Sequence, residues 1–87
     1  MEERPSQVIE EYLLVLYKLH RNGEKAKAVT LANKLETSAP TVHATMGRMQ
    51  RDGLIKVNRA KEIQLTQLGV EMAESIAYRH NLAEDFL

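Results

Sequence analysis

Between Leu31 and Leu65 the chain alternates short apolar runs with residues that start and stop helices, and that order leaves few folds open. A second helix over about Lys27 to Leu35 buries Leu31, Ala32 and Leu35, and Ala32 is small enough to let the next helix cross closely. Glu36-Thr37-Ser38 supplies the turn. A third helix runs from Ala39 to Arg51, with Ser38 as its cap and Pro40 in the first turn, where a missing N–H costs little. Asp52-Gly53 ends it, and two strand-like segments follow, Leu54 to Val57 and Glu62 to Leu65, around the tip Asn58-Arg59-Ala60-Lys61. Helix, turn, helix and basic hairpin in this order predict a mainly α fold of the winged helix-turn-helix type: three helices, a two-stranded β-wing, and a C-terminal helix that begins a dimerisation region.

The flanking segments complete it. Ser6 is placed to cap a first helix, in which Val8, Ile9, Tyr12, Leu13, Leu16, Leu19 and His20 recur as one apolar stripe. Asn22-Gly23 closes that helix by tolerating positive φ. Thr66 caps a last helix with a broad apolar band of Leu68, Met72, Ala73, Ile76, Ala77, His80, Ala83, Phe86 and Leu87. The expected division is 1–66 for the winged helix-turn-helix and 67–87 for the start of a helical region.

Eighty-seven residues make a single small domain, near the size at which a partner adds needed stability. Without cysteine, neither disulfides nor a thiolate zinc site staple it. Met1-Glu2-Glu3-Arg4-Pro5 lacks the apolar core of a signal peptide and no run approaches a membrane span, so a cytoplasmic protein is expected. The formal net charge of zero hides a strong asymmetry. Residues 1–24 carry a net −2, residues 62–87 a net −4, and residues 25–61 a net +6. A basic middle between acidic ends is what a domain shows when one face meets phosphates.

Helical geometry divides the third helix into a core side of Val42, Thr45, Met46 and Met49, and an opposite side of Pro40, Ala44, Gly47, Arg48 and Arg51 flanked by Thr41 and His43. A recognition helix enters the major groove with its N-terminal residues on base edges while basic neighbours fix register on phosphates. Ser38, Thr41 and His43 offer hydrogen bonds, and Pro40 and Ala44 offer apolar contact to thymine methyls. Lys34, Arg48, Arg51, Arg59 and Lys61 are the expected phosphate contacts. Gly47 beside Ala44 suggests close approach to another surface. Tyr12 and Tyr17 read as packing residues, and Met46, Met49 and Met72 as core fillers. The sequence shows no phosphate-cradling glycine loop, paired nucleophile and base, or carboxylate pair in a defined pocket, so no enzyme is expected.

Taken together, Glu11-Tyr12-Leu13, Ser38-Ala39-Pro40-Thr41-Val42, Arg48-Met49-Gln50-Arg51-Asp52-Gly53-Leu54, Leu65-Thr66-Gln67-Leu68-Gly69 and Arg79-His80-Asn81-Leu82-Ala83-Glu84 resemble the diphtheria-toxin-repressor family of iron- or manganese-responsive transcriptional regulators. The resemblance spans about residues 7–87. It implies a homodimeric repressor that binds palindromic operator DNA when a divalent metal, iron or manganese, is bound. It also implies metal ligands at Glu11, His80 and Glu84. His80 and Glu84 lie at i and i+4 on one helix face; on the residues alone they read as a surface ion pair sooner than as ligands. Glu11 falls where the family places a first-helix ligand, and an oxygen donor there leans toward a harder ion such as manganese. Members usually continue into further helices that supply the remaining ligands and much of the dimer interface, so the chain, ending at Asp85-Phe86-Leu87, reads as truncated or else as a short natural relative needing a partner, and its own metal binding as weak or absent. The alternative is a winged-helix regulator or protein-interaction module not controlled by metal.

Overall fold

A computed structural model of the chain describes residues 7–85, with side-chain surroundings through residue 79. The elements are α1 (Gln7–Arg21), α2 (Ala28–Lys34), α3 (Ala39–Arg51), β1 (Ile55–Val57), β2 (Ile63–Leu65) and α4 (Gln67–Asp85). This is the expected winged helix-turn-helix with a long C-terminal helix. The expected cap Ser6 and the apolar residues Phe86 and Leu87 lie outside the described residues, as do the side chains of His80, Ala83 and Glu84.

Helix α1 buries Ile9, Tyr12, Leu13, Leu16 and Leu19, which recur at three- and four-residue steps on one face. The stripe is narrower than expected. Val8 is 50% exposed and His20 is exposed, because each sits one residue off the buried row, on the edge that turns to solvent. At the far end the Gly23 N–H donates to the His20 carbonyl and the Glu24 N–H to the Leu19 carbonyl, with Gly23 at φ +75°. Glycine takes that conformation without the Cβ penalty.

Helix α2 is shorter than expected by one residue at each end. Lys27 stands before it, its N–H donating to the Thr30 hydroxyl at 3.3 Å, and Leu35 lies in the turn that ends it. Leu31 is fully buried, whereas Ala32 and Leu35 are only half-buried against the core. Helix α3 keeps the predicted division, with Val42, Thr45, Met46 and Met49 buried. Strands β1 and β2 pair antiparallel in the register Ile55 with Leu65, Lys56 with Gln64 and Val57 with Ile63. Each is a residue shorter than predicted, since Leu54 and Glu62 serve the adjoining turns. Ile63 also donates its N–H to the Ala26 carbonyl at 2.7 Å, tying the α1–α2 connection to the wing.

The core is a single cluster drawing on α1, α2, α3, both strands and α4. Burial of its aliphatic side chains, each contributing about 1.5–3 kcal/mol, is the main stabilising term. Helix α4 packs chiefly along α1 through Ala73 and Ile76. The expected apolar band on α4 is narrower than the sequence suggested, because Leu68 is 47% exposed and Ala77 only half-buried. The Tyr12 hydroxyl is buried without a hydrogen-bond partner among the described residues, an arrangement that costs roughly 1–3 kcal/mol of desolvation.

The joint between α3, the wing and α4 is tied by backbone and side-chain hydrogen bonds together. After Gly53, at φ +76°, the Thr66 N–H donates to the Leu54 carbonyl at 3.0 Å, and the Thr66 hydroxyl donates to the Gly53 carbonyl at 2.6 Å. The same hydroxyl oxygen accepts from the Gly69 N–H at 3.1 Å, capping α4 as predicted. Gly69 is seated directly on this turn, and a Cβ there would overlap the Leu54 carbonyl oxygen.

Candidate nucleic-acid interface

The entry to α3 sets the geometry of the exposed face. Helix α2 ends with Glu36 at φ +53°, the Thr37 N–H donating to the Ala32 carbonyl at 3.0 Å and the Glu36 N–H to the Asn33 carbonyl at 3.4 Å. This is a Schellman-type stop in which glutamate holds the left-handed position usually taken by glycine. For a residue with a Cβ that conformation costs about 1–2 kcal/mol, and nothing in the sequence of the turn announces it. The backbone then extends through Ser38, at φ −88° and ψ 157°, into the first turn of α3.

Ser38 and Thr41 are brought together, but in part to serve the helix. The Thr41 N–H donates to the Ser38 oxygen at 3.3 Å, and the Ser38 hydroxyl donates to the Thr41 hydroxyl oxygen at 2.9 Å. The Ser38 proton is therefore engaged within the cap, and the Thr41 O–H is left to donate outward. Pro40, Thr41, His43 and Ala44 are all exposed at or beside the N-terminal half of α3, and Arg48 and Arg51 are exposed further along it. Gly47 is half-buried, yet nothing lies within 4 Å of where its Cβ would be, so no approach within this chain explains it.

Lys34 is exposed at the end of α2, and Arg59 and Lys61 are exposed at the wing tip. None of Lys34, Arg48, Arg51, Arg59 and Lys61 makes a side-chain ion pair with another described residue. The tip is held by its own hydrogen bonds: Asn58 Nδ2 donates to the Glu62 carboxylate at 2.9 Å, and the Glu62 N–H donates to Asn58 Oδ1 at 2.9 Å. The Lys61 N–H closes the turn on the Asn58 carbonyl at 3.0 Å, with Lys61 at φ +66°. A second non-glycine residue thus occupies the left-handed region beside the exposed face of α3.

Lys27 and Gln50, which the sequence did not single out, border a groove between α2, α3 and the wing, assembled from segments far apart in the chain.

Of the three residues expected at a metal site, Glu11 is exposed on α1, while the His80 and Glu84 side chains lie outside the described residues. No group of three or more His, Asp or Glu side chains placed to hold a metal occurs among the described residues. Nor is any described helix long and apolar enough to cross a membrane.

The profile of the family described as iron dependent repressor, N-terminal DNA binding domain, matches residues 5–63. The diphtheria toxin repressor of Corynebacterium diphtheriae is 38% identical over 78 residues, covering 90% of this chain and 34% of that protein. The iron-dependent repressor IdeR of Mycobacterium leprae is 40% identical over the same length, with the same coverage. The chain thus spans about a third of the length of these relatives. Among solved structures, ZitR of Lactococcus lactis superposes with a TM-score of 0.81 at 22% identity, over 99% of this chain and 58% of that one. MepR, a transcription regulator of the Staphylococcus aureus multidrug efflux pump MepA, gives 0.76 at 22% identity over 93% and 60%. At that identity these two establish the fold alone.

Proposed function

The chain belongs to the iron-dependent repressor family and carries its N-terminal DNA-binding domain, and from that premise we propose that it is the operator-reading part of a metal-responsive transcriptional repressor. Helix α3 lies in the major groove. Thr41 and His43 meet base edges, Pro40 and Ala44 meet thymine methyls, and Ser38 holds the helix end that presents them. Lys34, Arg48, Arg51, Arg59 and Lys61 bind phosphate on either side. The observation that carries this reading is that five exposed cations, at the end of α2, on α3 and at the wing tip, have no acidic partner among the described residues.

Residues 67–87 are assigned to the start of a dimerisation region. Support comes from the exposure of Leu68 at 47% and Tyr78 at 64%, apolar surface that a second protomer would cover. A homodimer would link two half-site readers and raise affinity for a palindrome by effective concentration. Metal response, to iron or manganese, rests on the family. Glu11 is a single exposed carboxylate, and one oxygen donor does not by itself hold a transition-metal ion; His80 and Glu84 are the proposed further ligands. A regulator acting in the cytoplasm fits this role.

Selection of duplexes from a random library by this chain, followed by a salt titration on the selected sequence with and without manganese, tests the reading. A reproducible consensus whose binding weakens steeply with salt is expected. Indifference to DNA sequence at every salt concentration would instead favour a winged-helix module that contacts protein.

A further inference from the structure

An acid stands among the cations of the wing tip. Glu62 follows Lys61 directly and comes three residues after Arg59, so its carboxylate weakens the attraction of this tip for phosphate unless it is turned away or does something in return. Glu62 does both. Its carboxylate lies 3.8 Å from the Lys25 ammonium and lines a hollow with His20, Lys25 and Gln64. Lys61 lines a different one, the groove between α2, α3 and the wing, together with Lys27 and Gln50, and no carboxylate lines that groove among the described residues. Two consecutive side chains of opposite charge thus face separate hollows.

What Glu62 does in return is hold Asn58. The Asn58 N–H donates to the Glu62 carbonyl at 3.1 Å, Asn58 Nδ2 donates to the Glu62 carboxylate at 2.9 Å, and the Glu62 N–H donates to Asn58 Oδ1 at 2.9 Å. The Asn58 carbonyl accepts from the Lys61 N–H at 3.0 Å. Every polar group of Asn58 is therefore engaged inside the tip, three of the four with Glu62. Lys61, closed into this ring at φ +66°, takes a conformation that is costly for a residue with a Cβ and persists only where its surroundings over-determine it. The two bonds through the Asn58 side chain supply that constraint. The ion pair with Lys25 adds little, since the Lys25 side chain is 75% exposed.

We propose that Glu62 is a positioning residue for DNA binding: through Asn58 it fixes the left-handed turn at Lys61, and so the direction in which Arg59 and Lys61 meet phosphate. The inference deepens the DNA-reading function and rests on it. Its consequence runs against simple electrostatics. Removing a negative charge beside two phosphate-binding cations strengthens their attraction to DNA when charge is all that matters. Removing the residue that orders them leaves the tip to be ordered at the moment of binding, and that entropy cost weakens the complex.

Anisotropy titrations of the chain on a labelled random-sequence duplex across a salt series separate the two, for the wild type, Glu62→Ala, Lys61→Gln and the double variant. Glu62→Ala should bind roughly tenfold more weakly near 0.1 M salt and lose about 0.9 from the slope of log K against log salt, as though one phosphate contact were gone. Lys61→Gln should cost about as much in the wild type, and markedly less in the Glu62→Ala background, where the contact it removes is already lost. In hydrogen exchange the Lys61 amide should lose protection in Glu62→Ala while the amides of α1 and α3 keep theirs, which sets a loosened tip apart from impaired folding. Asn58→Asp, which sets two carboxylates against each other, should also weaken binding, and adding Glu62→Gln, whose amide N–H donates to the new carboxylate, should restore it. Tighter or unchanged binding by Glu62→Ala, or an undiminished loss from Lys61→Gln in that background, would overturn the positioning role and leave the DNA-reading function standing. Absence of salt-dependent binding by the wild type would overturn both.

Discussion

The α3–wing face and the α1–α4 seam both carry charged side chains and use them in opposite ways. Across the seam, Arg79 lies 3.8 Å from the Glu10 carboxylate and the Tyr17 hydroxyl donates to Glu74 at 3.4 Å, and within α4 Gln67 Nε2 donates to Glu71 at 3.1 Å. The Arg21 guanidinium sits 5.7 Å from the Tyr17 ring centroid. Polar side chains there answer one another. On the α3–wing face, Lys34, Arg48, Arg51, Arg59 and Lys61 have no such partners among the described residues. A zero net charge for the chain therefore conceals a surface satisfied internally and a surface satisfied only by something else.

The comparison breaks most sharply at the joint between the two regions. Gly69→Ala forces a Cβ against the Leu54 carbonyl, a backbone group that no rotamer change moves aside. About 3 kcal/mol of stability should be lost, the upper end for overpacking, lowering the thermal midpoint by more than about 10 °C in calorimetry. Next in size is Arg48→Gln with Arg51→Gln. Loss of two phosphate contacts should weaken DNA binding about a hundredfold near 0.1 M salt, while urea unfolding stays within about 0.5 kcal/mol of wild type. An equal loss of stability would mean that these arginines serve the fold after all.

Ser38→Ala sits on the boundary, since the hydroxyl caps α3 and stands at the reading end. About 1 kcal/mol of stability should go, and Ser38→Asn should restore it. The smallest change is expected from Arg79→Ala. Both members of that pair are partly exposed, so less than about 0.5 kcal/mol should separate it from wild type. A larger effect in high salt as well as low would show that the seam depends on this contact more than its exposure allows.

The division of α3 was legible in the sequence because two independent signals coincide there: Ser38 and Pro40 fix where the helix starts, and Val42, Met46 and Met49 fix its buried side. The α1 stripe was drawn too wide, because spacing alone cannot tell Val8, at the margin, from Ile9, fully in the row. Backbone strain at Glu36 and Lys61 was illegible, since left-handed positions are usually recognised by glycine or asparagine and neither stands there. The groove joining Lys27 to Lys61 was hidden for a different reason. Its walls come from residues 27–29, 43–50 and 57–61, and the pairing of Ala26 with Ile63, with the Lys25–Glu62 ion pair beside it, draws the first of these toward the last.

The seat of Gly69 on Leu54 has a mechanical meaning. Contacts between side chains are compliant, because a rotamer can shift and absorb a small displacement. At this joint, backbone rests on backbone, clamped by both hydrogen bonds from Thr66. Helix α4 extends about 28 Å from there, at 1.5 Å per residue. It is therefore a stiff lever with its fulcrum one residue beyond the turn that ends α3, so a load on its distant end reaches the base of α3, the helix proposed to read DNA, with little slack between.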